Sequence, residues 1–169
     1  FNKTQQFDQY LKRIIGKTAS LFAMATETGA VLSDAPEESV KILKEYGMNL
    51  GIAFQIMDDV LDFTGTEEEL GKPVASDLLQ GTVTLPSLKI IEYYPQDNPV
   101  KRLFEGKGEP ADNIAEAISL VKETSILNEC IETALGYSRA ACRDINLLPE
   151  SPSKDSMFAL AESMVKRRS

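Results

Sequence analysis

Apolar positions recur along most of the chain at the three-and-four spacing that turns one face of an α-helix toward a core. Phe7, Leu11, Ile14 and Ile15 form one such stripe, and Leu21, Phe22 and Ala25 extend it past Gly16. Ser33-Asp34-Ala35-Pro36-Glu37-Glu38 has the grammar of a helix start: a capping side chain, an early proline and acids in the first turn. The helix it opens is predicted to run over about 36–63, with Gly47 and Gly51 inside it. Each glycine costs about 1 kcal/mol against alanine, so something must require them. The pattern fails over 64–84, where Gly65, Gly71, Pro73 and Gly81 sit among polar residues. That stretch is predicted to be a loop with one helical turn near 76–79, and a loop so long in a compact domain is usually functional or disordered. Helices are expected again over about 86–94, 99–105, 110–123, 125–146 and 152–167, punctuated by Pro95, Gly106, Gly108, Pro149 and Pro152. No strand pattern or repeat interrupts them, so the expected class is all-α and one domain.

Composition narrows the functions open to such a bundle. The chain has 169 residues, 26 acidic and 18 basic, for a net charge of −8, and no histidine. Triads with an imidazole base and histidine-ligated metal sites are excluded. A pI near 4.7 argues against nucleic acid as a partner. No apolar run approaches the ~20 residues of a membrane span. Cys130 and Cys142 lie twelve residues apart on one predicted helix, which is ~18 Å at the helical rise and far beyond disulfide reach. Both are expected to be reduced, and the compartment cytoplasmic. The first residue is Phe1, which leads us to expect a processed or partial chain.

The chemistry is concentrated in 47–62. On a helical wheel Gly47, Gly51, Gln55, Asp58 and Asp62 fall within an arc of roughly 80°, with Asp59 just beside it. Ile52, Ala53, Ile56, Met57, Val60 and Leu61 make the opposite, apolar face. Three carboxylates within five residues repel one another, and no Lys or Arg occurs from Gly47 to Phe63. In a cleft they would call for a cation; on an open surface they would be a solvated acidic face. Magnesium suits them, because it prefers carboxylate oxygens and is completed by water and substrate phosphates. The two glycines remove bulk above the carboxylates, for a ligand or for a closely packed helix.

These residues match a family. GIAFQIMDDVLDFTG, followed by LGKPVASDLLQGTVTLP, closely resembles the second aspartate-rich motif and following loop of the trans-isoprenyl (polyprenyl) diphosphate synthases, and GKTASLFAMATETGAVLS resembles their Lys-Thr segment. The resemblance implies an all-α helical bundle of the isoprenoid synthase type around a deep cavity, working as a homo-oligomer. It implies a prenyltransferase: an allylic prenyl diphosphate ionises, isopentenyl diphosphate attacks it 1′-4, and a proton is lost. Two aspartate-rich motifs would hold Mg2+ against the allylic diphosphate. By position, the metal ligands would be Asp58, Asp59 and Asp62, the latter two directly or through ordered water. Lys17 and Thr18 would bind the diphosphate and steady the cation, Gln55 would hydrogen-bond near both, and Lys72 would grip the same diphosphate. Asp77 would be a further acid near the metals. The released diphosphate can take the proton, so the missing histidine is no obstacle.

Two departures from the family matter. Thr82 stands where a lysine usually follows the loop glycine, so weaker substrate binding or slower ionisation is expected. No first aspartate-rich motif and no N-terminal isopentenyl site occur. The expectation is therefore the C-terminal part of one synthase domain, active as the intact parent and inactive alone, its exposed apolar surface driving self-association. A non-catalytic regulatory subunit of a heteromeric synthase is the alternative from another class, and a class I terpene cyclase the alternative among enzymes. Lys166-Arg167-Arg168 resembles a basic tail over the isopentenyl site, or simply favours a helix C-terminus.

Overall fold

The computed structural model describes residues 6–166, and among them it contains helices and no strand. The chain forms α1 (Phe7–Ile14), a π-helical turn (Ile15–Ala19), α2 (Ser20–Leu32), α3 (Glu37–Thr64), α4 (Glu67–Leu70), α5 (Ser76–Leu79), α6 (Leu85–Tyr93), α7 (Pro99–Phe104), α8 (Pro110–Glu123), α9 (Ile126–Asn146) and α10 (Pro152–Lys166). The predicted helices are all present within one or two residues of the expected ends. Arg167 and Arg168 of the basic tail lie outside the described residues. Among the described residues no helix is long and apolar enough to cross a membrane. Cys130 and Cys142 are both free thiols.

The chain divides into two compact units. One takes the chain up to Tyr10 together with Asp58–Cys130, the other Leu11–Met57 with the chain from Ile131. In the second unit Tyr46 and Leu50 of α3, Ala141 and Ile145 of α9, and Ala161 and Met164 of α10 form a buried cluster. Phe22, Phe54, Met157 and Phe158 close over it. Polar groups inside are paired, as burial demands. The Tyr46 phenol donates to Met157 O at 2.9 Å, and burial pushes it up to about 12. Lys154 is 4% exposed, and its ammonium donates to Asn146 O at 3.2 Å and Leu148 O at 2.8 Å and pairs with Glu150 at 2.8 Å. It thereby satisfies carbonyls at the end of α9 that have no helical partner.

The glycines of α3 belong to helix packing. A Cβ on Gly51 would lie 2.6 Å from Ala19 Cα, and one on Gly47 would strike Thr26 Oγ1 and stand 2.6 Å from Phe22 O. Thr26 crosses the same seam, donating to Leu43 O at 2.6 Å. Of the two uses left open for these glycines, close approach of α2 is the one the structure shows. The stripe expected to continue through Leu21 and Ala25 does not stay inside. Leu21 is 58% exposed, with Met24, Val31 and Leu32 also exposed, while Phe22 is half-buried. The π turn is the reason. Ser20 N–H donates to Ile15 O, which adds one residue to the turn and rotates everything after it by about 100°.

In the other unit the loop over 64–84 is more structured than its composition indicates. Thr66 caps α4 with a reciprocal capping box to Glu69, a T-x-x-E signature present in the sequence. Gly71 then ends that turn in the left-handed conformation at φ 64°, where a side chain is disfavoured. Asn98 caps α7 by accepting from Lys101 N–H at 2.9 Å. Arg102 joins α7 to α8, donating to Asn113 at 3.1 Å and pairing with Glu116 and Asp97.

The two kinds of helical glycine should respond oppositely to alanine. Gly47→Ala is expected to cost about 1–3 kcal/mol of overpacking, reversing alanine's usual advantage. Gly136→Ala, on α9 with nothing within 4 Å of the added carbon, should stabilise by about 0.5–1 kcal/mol. Chemical denaturation of the two variants measures both; a stabilised Gly47→Ala would contradict the packing described.

Candidate functional site

The arc predicted on α3 divides by exposure. Asp58 is exposed, whereas Asp59 and Asp62 are 3% and 2% exposed and Gln55 is 4%. The opposite face (Ile52, Ala53, Ile56, Met57, Val60) is buried as expected. A solvated acidic face is thus ruled out for Asp59 and Asp62, and buried carboxylates need partners.

Asp62 finds them in the loop that follows. Its Oδ1 accepts from Ser76 Oγ at 2.9 Å and takes the Lys72 ammonium at 2.8 Å. Its Oδ2 accepts from Asp77 N–H at 3.2 Å, and its backbone carbonyl accepts from Ala75 N–H at 2.6 Å. Ala75 is held there at φ 56°, a left-handed conformation that costs alanine about 1 kcal/mol and persists because these bonds over-determine it. Lys72 also stands 3.7 Å from Asp77. The structure therefore brings together Lys72, Asp62 and Asp77, three of the residues singled out from sequence, and adds Ser76, which was not. Thr82 N–H donates to Asp77 O at 2.8 Å, so Thr82 lies at the end of the same turn.

Asp59 accepts a 2.8 Å hydrogen bond from the phenol of Tyr10, itself fully buried. Sequence spacing does not single out Tyr10; a buried tyrosine must place its hydroxyl on an acceptor, and that is the available signal. In the other unit Thr18 Oγ1 donates to Gln55 Oε1 at 2.6 Å, an association the sequence reading proposed only in role. This bond turns the Gln55 amide so that its N–H donors lie on the side away from Thr18. The π turn delivers Thr18 inward and leaves Lys17 exposed.

Among the described residues no three carboxylate or thiol side chains stand together as a ready-made metal cage. Magnesium does not require one, since one or two carboxylates plus phosphate oxygens and water suffice. The donor set on this helix, all carboxylate oxygen, suits a hard cation.

Burial draws the Lys72 ammonium down, but the hydrogen bond and charge of Asp62, with Asp77 and Asp58 behind it, hold it above the ordinary 10.5. A raised lysine stabilises the fold below its ordinary value and ceases to as pH rises through the folded one. Lys72→Met is accordingly expected to lower stability by about 1 kcal/mol, a discounted figure for a half-exposed cation. The melting difference from wild type should stay constant from about pH 6 to 9 and close only above the lysine range. A difference that shrinks between those two pH values would contradict the pairing.

Comparison with known proteins agrees with the fold and with the family resemblance. The pattern of the family described as Polyprenyl synthetase matches residues 1–121. Heptaprenyl diphosphate synthase component 2 of Bacillus subtilis is 39% identical over 169 residues, covering 99% of this chain and 48% of that protein. The crystal structure of heptaprenyl diphosphate synthase from Staphylococcus aureus superposes with a TM-score of 0.92 at 36% identity, over 99% of this chain and 52% of that one. Polyprenyl synthase from Caulobacter crescentus, complexed with calcium and isoprenyl diphosphate, gives 0.90 at 31% identity over the same shares. The chain spans about half the length of the curated relatives it matches. Its helices have the all-α fold of these enzymes, and the chain belongs to the polyprenyl synthetase family, the trans-isoprenyl diphosphate synthases.

Proposed function

We propose that this chain is the C-terminal part of one synthase domain in a prenyltransferase that condenses an allylic prenyl diphosphate with isopentenyl diphosphate, 1′-4 and trans. The observation that carries the reading is the joining of Lys72 to Asp62 and Asp77 beside the exposed carboxylate of Asp58. A lysine and an open carboxylate on one loop-and-helix corner are what a metal-bound diphosphate needs. Family membership and the calcium and isoprenyl diphosphate named in the C. crescentus complex support it.

In the reaction the allylic C1–O bond breaks and the diphosphate leaves with the electron pair. The isopentenyl double bond attacks C1, and the proton lost from the new unit goes to the released diphosphate. Bound Mg2+ would neutralise the leaving group as charge develops on it. Asp58 would be its principal protein ligand, with Asp62 and Asp59 completing the cluster directly or through ordered water. Lys72 would exchange its carboxylate partners for diphosphate oxygens. Lys17, exposed and without an ion pair among the described residues, would bind the same group. Thr18 and Gln55, locked to each other, would turn fixed dipoles toward the cation, which costs no reorganisation when charge appears. The free cysteines support a reducing, cytoplasmic setting, and the exposed apolar stripe of α2 supports a homo-oligomer or self-association of the isolated chain. The name of the B. subtilis relative, a component 2, favours a second reading in which the polypeptide is one part of a heteromeric synthase.

The test is turnover of labelled isopentenyl diphosphate with an allylic primer by the complete polypeptide encoded by the gene. Labelled prenyl diphosphate should form, stop on adding EDTA and return with Mg2+. Asp58→Ala should lower kcat by roughly a hundredfold or more, and the 169-residue chain alone should be inactive. Product formation indifferent to EDTA or to Asp58→Ala would overturn the reading; product appearing only with a second polypeptide would select the heteromeric one.

A further inference from the structure

We propose that Tyr10 is a positioning residue of the acidic cluster, acting through Asp59; the inference rests on the metal–diphosphate reading above. Asp58 and Asp59 are neighbours on α3, about 100° apart around its axis. That turn sends one carboxylate to solvent and the other into the protein. Asp59 is met there by the Tyr10 hydroxyl, 2.8 Å from its Oδ2, with both side chains buried.

Each of the two buried carboxylates of the cluster accepts a hydrogen bond from a hydroxyl, Asp62 from Ser76 and Asp59 from Tyr10. Asp62 is held by a cation, Lys72, as well as by Ser76. The Tyr10 phenol is a neutral donor, so its bond to Asp59 fixes the carboxylate without cancelling its charge. A carboxylate with one oxygen so engaged keeps its rotamer, and the direction of the other oxygen follows. Tyr10 is itself anchored: its ring lies 6.0 Å from that of Phe7, tilted by 38°, one turn earlier on α1. Removing the hydroxyl would leave the ring in place and take from Asp59 the hydrogen bond at its Oδ2. A ligand carboxylate, or one next to it, that gives up such a bond loses part of the orientation that a metal site draws from its outer shell.

The experiment is Mn2+ binding to the complete polypeptide in the presence of inorganic diphosphate, followed by electron paramagnetic resonance and calorimetry. It is run for wild type, Tyr10→Phe, Asp59→Asn and the double variant, with metal-free melting recorded for each. Tyr10→Phe is expected to weaken Mn2+ binding about ten- to a hundredfold. Its metal-free melting should move by only a few degrees. Adding Tyr10→Phe to Asp59→Asn should cost little more, because both act on one carboxylate. Binding within twofold of wild type in Tyr10→Phe overturns the assignment and leaves the function standing. Full additivity of the two losses also overturns it. Where Tyr10→Phe does not fold alone, Asp59→Asn and the double variant decide: equal affinities support the assignment and a further tenfold loss overturns it. Absence of Mn2+–diphosphate binding in wild type overturns the function and this assignment together.

Discussion

A carboxylate removed from water must be given hydrogen bonds or a counter-charge, and α3 buries two of them, Asp59 and Asp62. Much of the local structure follows from meeting that demand. The loop after α3 folds back so that Ser76, the Asp77 amide and Lys72 reach Asp62. α1 presents Tyr10 to Asp59. Because those two are held inside, Asp58 is the carboxylate of the three that stands open to solvent. An acidic triplet that would merely repel itself on a surface becomes an ordered arrangement with one solvent-exposed carboxylate and two buried, hydrogen-bonded neighbours.

The second constraint is the approach of α2 to α3. Gly47 and Gly51 let the backbone of Ala19, Phe22 and Ala23 come closer than any side chain would permit. Close contact also brings Thr18, turned inward by the π-helical insertion, within 2.6 Å of the Gln55 amide. The insertion has a visible cost: it rotates the following helix so that Leu21 and Met24 face outward. Packing, backbone irregularity and the orientation of a polar side chain are one problem here, solved by two glycines and one extra residue in a turn.

Helix boundaries were legible because capping residues, prolines and apolar spacing are local signals, and the all-α class followed from them. The acidic arc followed from the same helical spacing, and Lys17, Thr18, Gln55 and Lys72 were singled out through family resemblance. What the chain did not disclose were relationships between distant positions. Nothing near Tyr10 points to Asp59, 49 residues on. The glycines admitted two readings until the facing helix was known. The π turn obeys no simple composition rule, so the stripe through Leu21 was drawn on the wrong face. The capping box at Thr66 and Glu69 is a local signal too, set in a stretch that glycine and proline dominate.

The central proposition is that the open carboxylate and its fixed neighbours exist to hold a metal-bound diphosphate. The most direct measurement is calorimetric titration of the complete polypeptide with a bisphosphonate, a non-hydrolysable diphosphate mimic, with and without Mg2+. Binding should require Mg2+ and should weaken by tenfold or more in Asp58→Ala. Binding of equal strength without the metal, or no binding with it, would contradict the proposition.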